Sequence, residues 1–420
     1  MPPETSLLQM FSEPLFLNSF WAGLGFLRRR WRRQPVPQED LSISQWIKEI
    51  SGSTTVGDNL GSAMIHGIYG GDIDRLSARS VLDRAYWAYY MPNNGALIRH
   101  MPEREEQFMN TMASESEIVL MAKKDRNSLL HFGAAGMETL PNALADALES
   151  QANVTIKTSS PVDQITYHAD RNVMQVRSKG QDALTYDRVV STTPSKQLLA
   201  ATNNAIPSLT NLQSVSIMTV NLWYPLENIK PPGFGYLIPR SIGADKNPAR
   251  ALGVFFDSDV ATTRSPDEPA GTKLFVLMGG HYYDPSDPDA ITIPSEEEAI
   301  EQAKTLVEQH LGIPRDTPCH AMSRLAEDCI PQHFVGHRDK MAAADEEIQA
   351  GFGGRLAVAG GSYTKIGAMG AIRSGYDIAR EIVEDRNPTG LEEFREFPPQ
   401  FLGLPLHRIP VRRFRQLPGQ

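Results

Sequence analysis

Residues 356–383 read LAVAGGSYTKIGAMGAIRSGYDIAREIV, and their chemistry lies in the glycines Gly360, Gly361, Gly367 and Gly370 that follow Leu356, Val358 and Ala359. Glycine lets a backbone approach a ligand closely and adopt conformations closed to other residues. The free N–H groups and positive dipole end of a helix that starts there favour a phosphate or an anionic ring edge. This order suits a seat for a dinucleotide, although on spacing alone an ordinary strand-to-helix turn reads the same way. Other constellations fare worse. Gly360-Gly361-Ser362-Tyr363-Thr364 has Thr364 where a nucleophile elbow needs its last glycine. His333 and His337 have metal-ligand spacing, but Pro331 and Gly336 disfavour the helix that would align them, so packing and hydrogen bonding are their expected roles. The acidic run at 284–289 lacks a defined calcium loop and reads as a solvated turn.

The elements that must position this turn follow from the pattern around it. Leu356–Ala359 suit a short buried strand. Ala371, Ile372, Gly375, Ile378, Ala379, Ile382 and Val383 fall on one face of a following helix, with Arg373, Asp377, Arg380 and Glu384 largely on the other. Upstream, residues 128–165 alternate strand and helix signals: a strand over Leu129–Phe132, a turn at Gly133–Gly136, a helix over Thr139–Leu148 and a strand over Val154–Lys157. PVDQITY (161–167) opens a run of strands that ends near 194. Between 195 and 319, MTVNLWYP, FGYLIP, ALGVFFD and KLFVLMGG predict a second sheet. Ser295 and Glu298 form a capping box for a helix over 296–311. Residues 1–127 read as mainly helical, and the Pro- and Arg-rich tail after 385 reads as loosely ordered.

Composition bounds the rest. A chain of 420 residues with 41% hydrophobic content buries sizeable cores, and its net charge of −9 argues against a general nucleic-acid binder. Cys319 and Cys329 are the only cysteines, too few for a metal cage or a disulfide framework. No apolar run is long enough to span a bilayer. The stretch Leu15–Leu27, with Phe16, Phe20, Trp21 and Phe26 ahead of an arginine cluster, suits either a membrane interface or a helix packed beneath a neighbour.

The segment VAGGSYTKIGAMGAIRSG resembles the C-terminal FAD motif of the flavin amine oxidase superfamily, and further blocks resemble its protoporphyrinogen oxidase branch. These are IHGIYGGDIDRLSARS (65–80), HFGAAGMETLPNALADALE (131–149), SVSIMTVNLWYP and PPGFGYLIPRS (214–241), LGVFFDS (252–258), FVLMGG (275–280) and CIPQHFVGH (329–337), in the family's order. The family's opening strand, G-x-G-x-x-G and helix are not matched, because no G-x-G-x-x-G exists in the chain, which therefore looks N-terminally shortened.

The resemblance implies an α/β fold: a partial Rossmann-like FAD-binding domain (128–194 and 320–385), a substrate domain with a mixed or antiparallel sheet (195–319), a helical membrane-contacting domain (1–127) and a flexible tail (386–420). It implies FAD on Val162, Gly360, Gly361, Ile366, Gly367, Ala368 and Met369, and a substrate slot lined by Leu237, Phe255 and Leu277. The implied activity is oxygen-dependent oxidation of protoporphyrinogen IX to protoporphyrin IX in haem synthesis, with no catalytic side chain, because the flavin carries the redox chemistry. Peripheral attachment to the mitochondrial inner membrane is implied, and a homodimer is compatible with it. Lys365 stands where relatives have glycine; it reads either as a solvent-directed lysine or as a cation beside the flavin. Another flavin oxidase, of desaturase or amine oxidase type, and a non-catalytic homologue stay open as alternatives.

Overall fold

The computed structural model describes residues 19–32, 35–91, 98–124, 132–260, 269–399 and 401–405. It opens with helices α1 (Ser19–Trp31), α2 (Ile43–Ser51), α3 (Ser62–Tyr69) and α4 (Asp83–Tyr90). A capping box of Ser42 and Gln45 starts α2, and Gly52, at φ 77°, ends it. Its Ile43, Trp46, Ile47 and Ile50 share one face and pack with Ile65, Ile73, Leu76, Tyr86 and Tyr89 into a core of their own. Strand β1 (Ile98–Pro102) and helices α5 (Glu103–Ser114) and α6 (Ser116–Lys124) follow.

Helix α7 (Thr139–Glu149) precedes an antiparallel sheet of β2 (Val162–His168), β3 (Val173–Ser178) and β4 (Leu184–Tyr186). Next come β5 (Val189–Ser191) and α8 (Ser195–Ala201), and then the long β6 (Gln213–Tyr224), β7 (Gly235–Leu237), β8 (Ala251–Phe255) and β9 (Thr272–Gly280). Helix α9 (Glu296–Leu311) starts at the Ser295–Glu298 capping box. The remaining elements are β10 (His320–Gln332), α10 (His337–Phe352), β11 (Leu356–Val358), α11 (Ala368–Val383) and β12 (Phe401–Pro405).

The largest sheet has the order β10-β6-β9-β8-β7, and its neighbours run antiparallel. Because side chains alternate across a strand, Met218, Val220, Leu222 and Tyr224 of β6 point with Leu274, Val276 and Met278 of β9 into one core. That core is capped by Ala299, Ala303, Leu306 and Val307 of α9. The glycine turn instead follows β11, which pairs in parallel with β5 alone among the described strands. Leu356 and Val358 bury against Met341, Ala344, Ile348 and Phe352 of α10.

Three sequence expectations need correction. The boundary at 319/320 fails because β10 pairs with β6 from His320 to Gln332 and so belongs to the large sheet. Residues 154–157 form no strand, and Ile156 is exposed. The tail is not wholly loose: Thr389 and Leu391 are fully buried, Arg395 grips Asp345 at 2.5 Å, and β12 pairs with β1. Of the strand expected over 129–132, residues 129–131 lie outside the described residues.

Candidate functional site

The turn after β11 is built around two strained glycines and two buried histidines. Gly360 and Gly367 sit at φ 101° and 99°, where a side chain is disfavoured, and a Cβ on either would meet nothing within 4 Å. Open space therefore lies in front of both. On the inner side the backbone is held in place. Gly360 N–H donates to Ser374 Oγ (3.1 Å) and Tyr363 O–H to Thr193 O (2.7 Å). His333 Nε2 meets Gly361 O at 2.8 Å, and His337 Nε2 meets Tyr363 O at 3.1 Å, with the two rings stacked at 3.7 Å. A carbonyl accepts, so both rings carry their proton on Nε2. Burial pushes the His333 pKa down to about 4 and that of His337 well below its usual value, so both are neutral at pH 7.

Of the residues the resemblance assigned to the cofactor, Gly360 to Gly367 thus form one turn and Ala368 and Met369 open α11: Gly361 and Ile366 are half-buried, while Gly367, Ala368 and Met369 are exposed. Val162 lies elsewhere, at the 44% exposed start of β2 and paired with Ser178. The turn's open glycines and the N-terminus of α11 fit one end of FAD, since the first N–H groups of a helix lack intrahelical partners. The 420 residues contain no G-x-G-x-x-G, the motif that seats a pyrophosphate in Rossmann-type folds.

Helix α11 buries a side that mixes polar and apolar residues, Ser374, Asp377 and Ile378. Part of its charged side is packed: Asp377 is 6% exposed and bonded by Arg104 (2.6 Å) and Arg373 (2.8 Å), and Arg373 also pairs with Glu105 of α5. The apolar stripe is split: Ile378 is buried with Ala357 and Ala359 of the β11 segment and Ile382 packs beside it, while Met369 at 67%, Ile372 at 45% and Val383 at 86% exposure face outward. Two clefts, of about 560 and 490 Å³, lie on the charged side and are walled by Arg104, Lys365, Glu393 and Arg395. Lys365 forms an ion pair with Asp83 of α4 at 3.0 Å. Its partial burial opposes the charge, but Asp83, Glu393 and Glu105 together raise its pKa. It is thus neither a lone solvent-directed lysine nor a cation aimed at the open side of the turn.

The three residues assigned to the substrate lie on one sheet face. Leu237 pairs with Gly253, Gly253 with Leu277, and Phe255, two residues from Gly253, points the same way. This is the less buried face of the large sheet, opposite the α9 core. Helix α3 covers its β7 end, where a Cβ on Gly67 would sit 2.5 Å from Leu237 Cδ2, so glycine alone lets the two surfaces meet. Beyond Leu277 the same row continues to Thr219 of β6 and Arg324 of β10. The sequence reading missed Gly67 and Arg324. Gly67 lies inside the IHGIYGGD block, but its role depends on a contact across 170 residues of chain.

Comparison with known proteins extends this picture. Residues 7–383 match the family model for flavin-containing amine oxidoreductases. The chain is 27% identical to the protoporphyrinogen oxidase of Schizosaccharomyces pombe over 376 residues, covering 87% of this chain and 72% of that protein. It is also 27% identical to human protoporphyrinogen oxidase over 380 residues, covering 89% and 73%. Among solved structures it superposes on reduced UDP-galactopyranose mutase with a TM-score of 0.55 at 11% identity, covering 90% of this chain and 75% of that one. A putrescine oxidase triple mutant gives a TM-score of 0.52 at 12% identity, covering 92% and 78%. These structural likenesses bear on the fold alone.

Proposed function

The chain belongs to the flavin-containing amine oxidoreductases, a family of FAD oxidoreductases, and from that premise we propose that it oxidises protoporphyrinogen IX to protoporphyrin IX with oxygen as the acceptor. The observation that carries this reading is the half-buried apolar face of the large sheet. Leu237, Phe255 and Leu277 make a flat apolar wall, and Gly67 brings α3 against one end of it. A flat apolar macrocycle suits such a wall. The relatives named protoporphyrinogen oxidase support the same substrate. FAD, when bound, supplies the electron acceptor. The chain's own work is to seat the macrocycle against the sheet, exclude water from its upper face, and hold the Gly360–Met369 turn rigid through His333 and His337.

The proposed organisation keeps a helical region (1–127), a cofactor layer (128–194 and 333–385) and a substrate layer (195–332). Among the described residues no helix is long and apolar enough to cross a membrane. Peripheral attachment to the mitochondrial inner membrane is supported by α1, where Trp21, Leu24, Leu27 and Trp31 are exposed beside Arg28, Arg29 and Arg30. A second reading is a homologue that keeps the substrate face but holds FAD weakly; the missing G-x-G-x-x-G favours it. The test is porphyrin fluorescence after protoporphyrinogen IX is added to protein with excess FAD. Oxidation well above the spontaneous rate, slowed by Phe255→Ala, supports the proposal. No FAD-dependent oxidation by protein shown to hold flavin overturns it, and failure to hold flavin selects the second reading.

A further inference from the structure

Resting on the porphyrin reading above, we infer that Arg324 forms a carboxylate subsite at the polar end of the substrate face and selects tetrapyrroles that carry carboxylates along one edge. The sheet register provides the geometry. One continuous row crosses all five strands: Leu237, Gly253, Leu277, Thr219, Arg324. The adjacent row on the same face runs Gly235, Phe255, Phe275, Asn221, Met322. The face is therefore apolar over β7, β8 and β9 and turns polar over β6 and β10.

Neighbouring strands are about 4.8 Å apart. Arg324 consequently stands about 10 Å from Leu277 and about 19 Å from Leu237 along the row. A macrocycle stacked on Phe255 and Leu277 would bring edge carboxylates into the reach of the Arg324 side chain. The other arginines near this face are already engaged: Arg240 by Asp58 and Asp74, and Arg250 by Asp289. Arg324 is exposed, and among the described residues no carboxylate lies within ion-pairing distance of its guanidinium. Its backbone is fixed, because its carbonyl accepts from Thr219 Oγ1 at 3.1 Å. Thr219 spends its one hydroxyl proton on that carbonyl, so of the two β6 neighbours Asn221, with its side-chain amide, is the further donor on this face. A guanidinium meets a carboxylate through two parallel N–H donors, which favours arginine over lysine at such a position.

The experiment titrates the 420-residue protein with protoporphyrin IX and, separately, with its dimethyl ester, following quenching of intrinsic tryptophan emission; Trp223 lies on the same face. The wild type is expected to bind the diacid about tenfold or more tighter than the ester, the scale of a charge-assisted hydrogen bond. Arg324→Ala should bring that ratio close to one while leaving ester affinity unchanged, and Arg324→Lys should restore part of the preference. An unchanged ratio in Arg324→Ala, or equal weakening of both ligands, overturns the subsite and leaves the substrate reading standing. If folded wild-type protein binds neither porphyrin, the substrate reading falls and the subsite with it.

Discussion

Around the large sheet, Leu274, Val276 and Met278 meet Ala299, Ala303 and Val307 of α9 with at most 1% exposure, and no apolar side chain is left stranded between them. Around the β5–β11 pair, α10 closes one side and Ile378 of α11 meets Ala357 and Ala359 on another, but Met369, Ile372 and Val383 of α11 lie 45–86% exposed, as do Leu144 and Leu148 of α7. The α9 face of the large sheet thus completes its core, while the layer that bears the glycine turn is closed by α10, by Ile378 and Ile382 of α11 and by charged contacts to α5, with part of the α11 stripe left outside. Apolar area left in water forgoes about 25 cal/mol per Å². The difference separates two abilities proposed for one chain: presenting a substrate surface, which rests on the large sheet and α3, and gripping a dinucleotide, which needs surfaces on several sides.

The largest expected effect is on FAD. Each charge-assisted hydrogen bond to the pyrophosphate that is not formed costs about 1.5–3 kcal/mol. The 420-residue polypeptide is therefore expected to leave a desalting column nearly colourless after incubation with FAD. A separate polypeptide carrying a strand, G-x-G-x-x-G and helix should bring back the yellow absorbance. Stoichiometric flavin retained by the unaided chain would erase the distinction between the two layers.

Next come paired substitutions in the two layers. Leu274→Ala empties a closed core and should cost about 2–5 kcal/mol in urea unfolding. Ile372→Ser, on the outward stripe of α11, should cost under about 0.5 kcal/mol and reduce aggregation in light scattering. Comparable losses would mean that α11 is covered after all.

His333 sharpens the comparison from inside the cofactor layer. Its folded pKa of about 4 lies below the ordinary 6.5, so the unfolded chain binds the proton first. Its contribution is complete above pH 6.5 and is lost as pH falls towards 4, about 3 kcal/mol in all. Urea midpoints should fall over that window, and His333→Gln should flatten the fall. An equal pH dependence in the variant would remove His333 from this role.

Lys365 should matter least. Its pair with Asp83 is about half exposed, so Lys365→Gly should change stability by under about 1 kcal/mol at low salt and by less at high salt.

These contrasts also mark what the sequence made legible. The Ser295–Glu298 box and the strand–glycine–helix order at 356–383 are local, and the structure keeps both. The apolar stripe of α11 was equally plain, but which part of a helix is covered depends on what packs there, and here only Ile378 and Ile382 of the stripe meet β11 while Arg104 and Glu105 hold part of the charged side. The place of β10 escaped because its pairing with β6 joins residues 97 to 119 apart, and local periodicity carries no information on such a partner. For the same reason Leu237, Phe255 and Leu277 could be named one by one, but not the row that continues to Arg324.

Hydrogen exchange read by mass spectrometry on the free 420-residue protein tests the contrast between the layers most directly. Amides of β6 and β9 are expected to exchange only through global unfolding, and those of α7 and α11 about a hundredfold faster or more through local opening. Equal protection of α7, α11 and the large sheet would contradict the account.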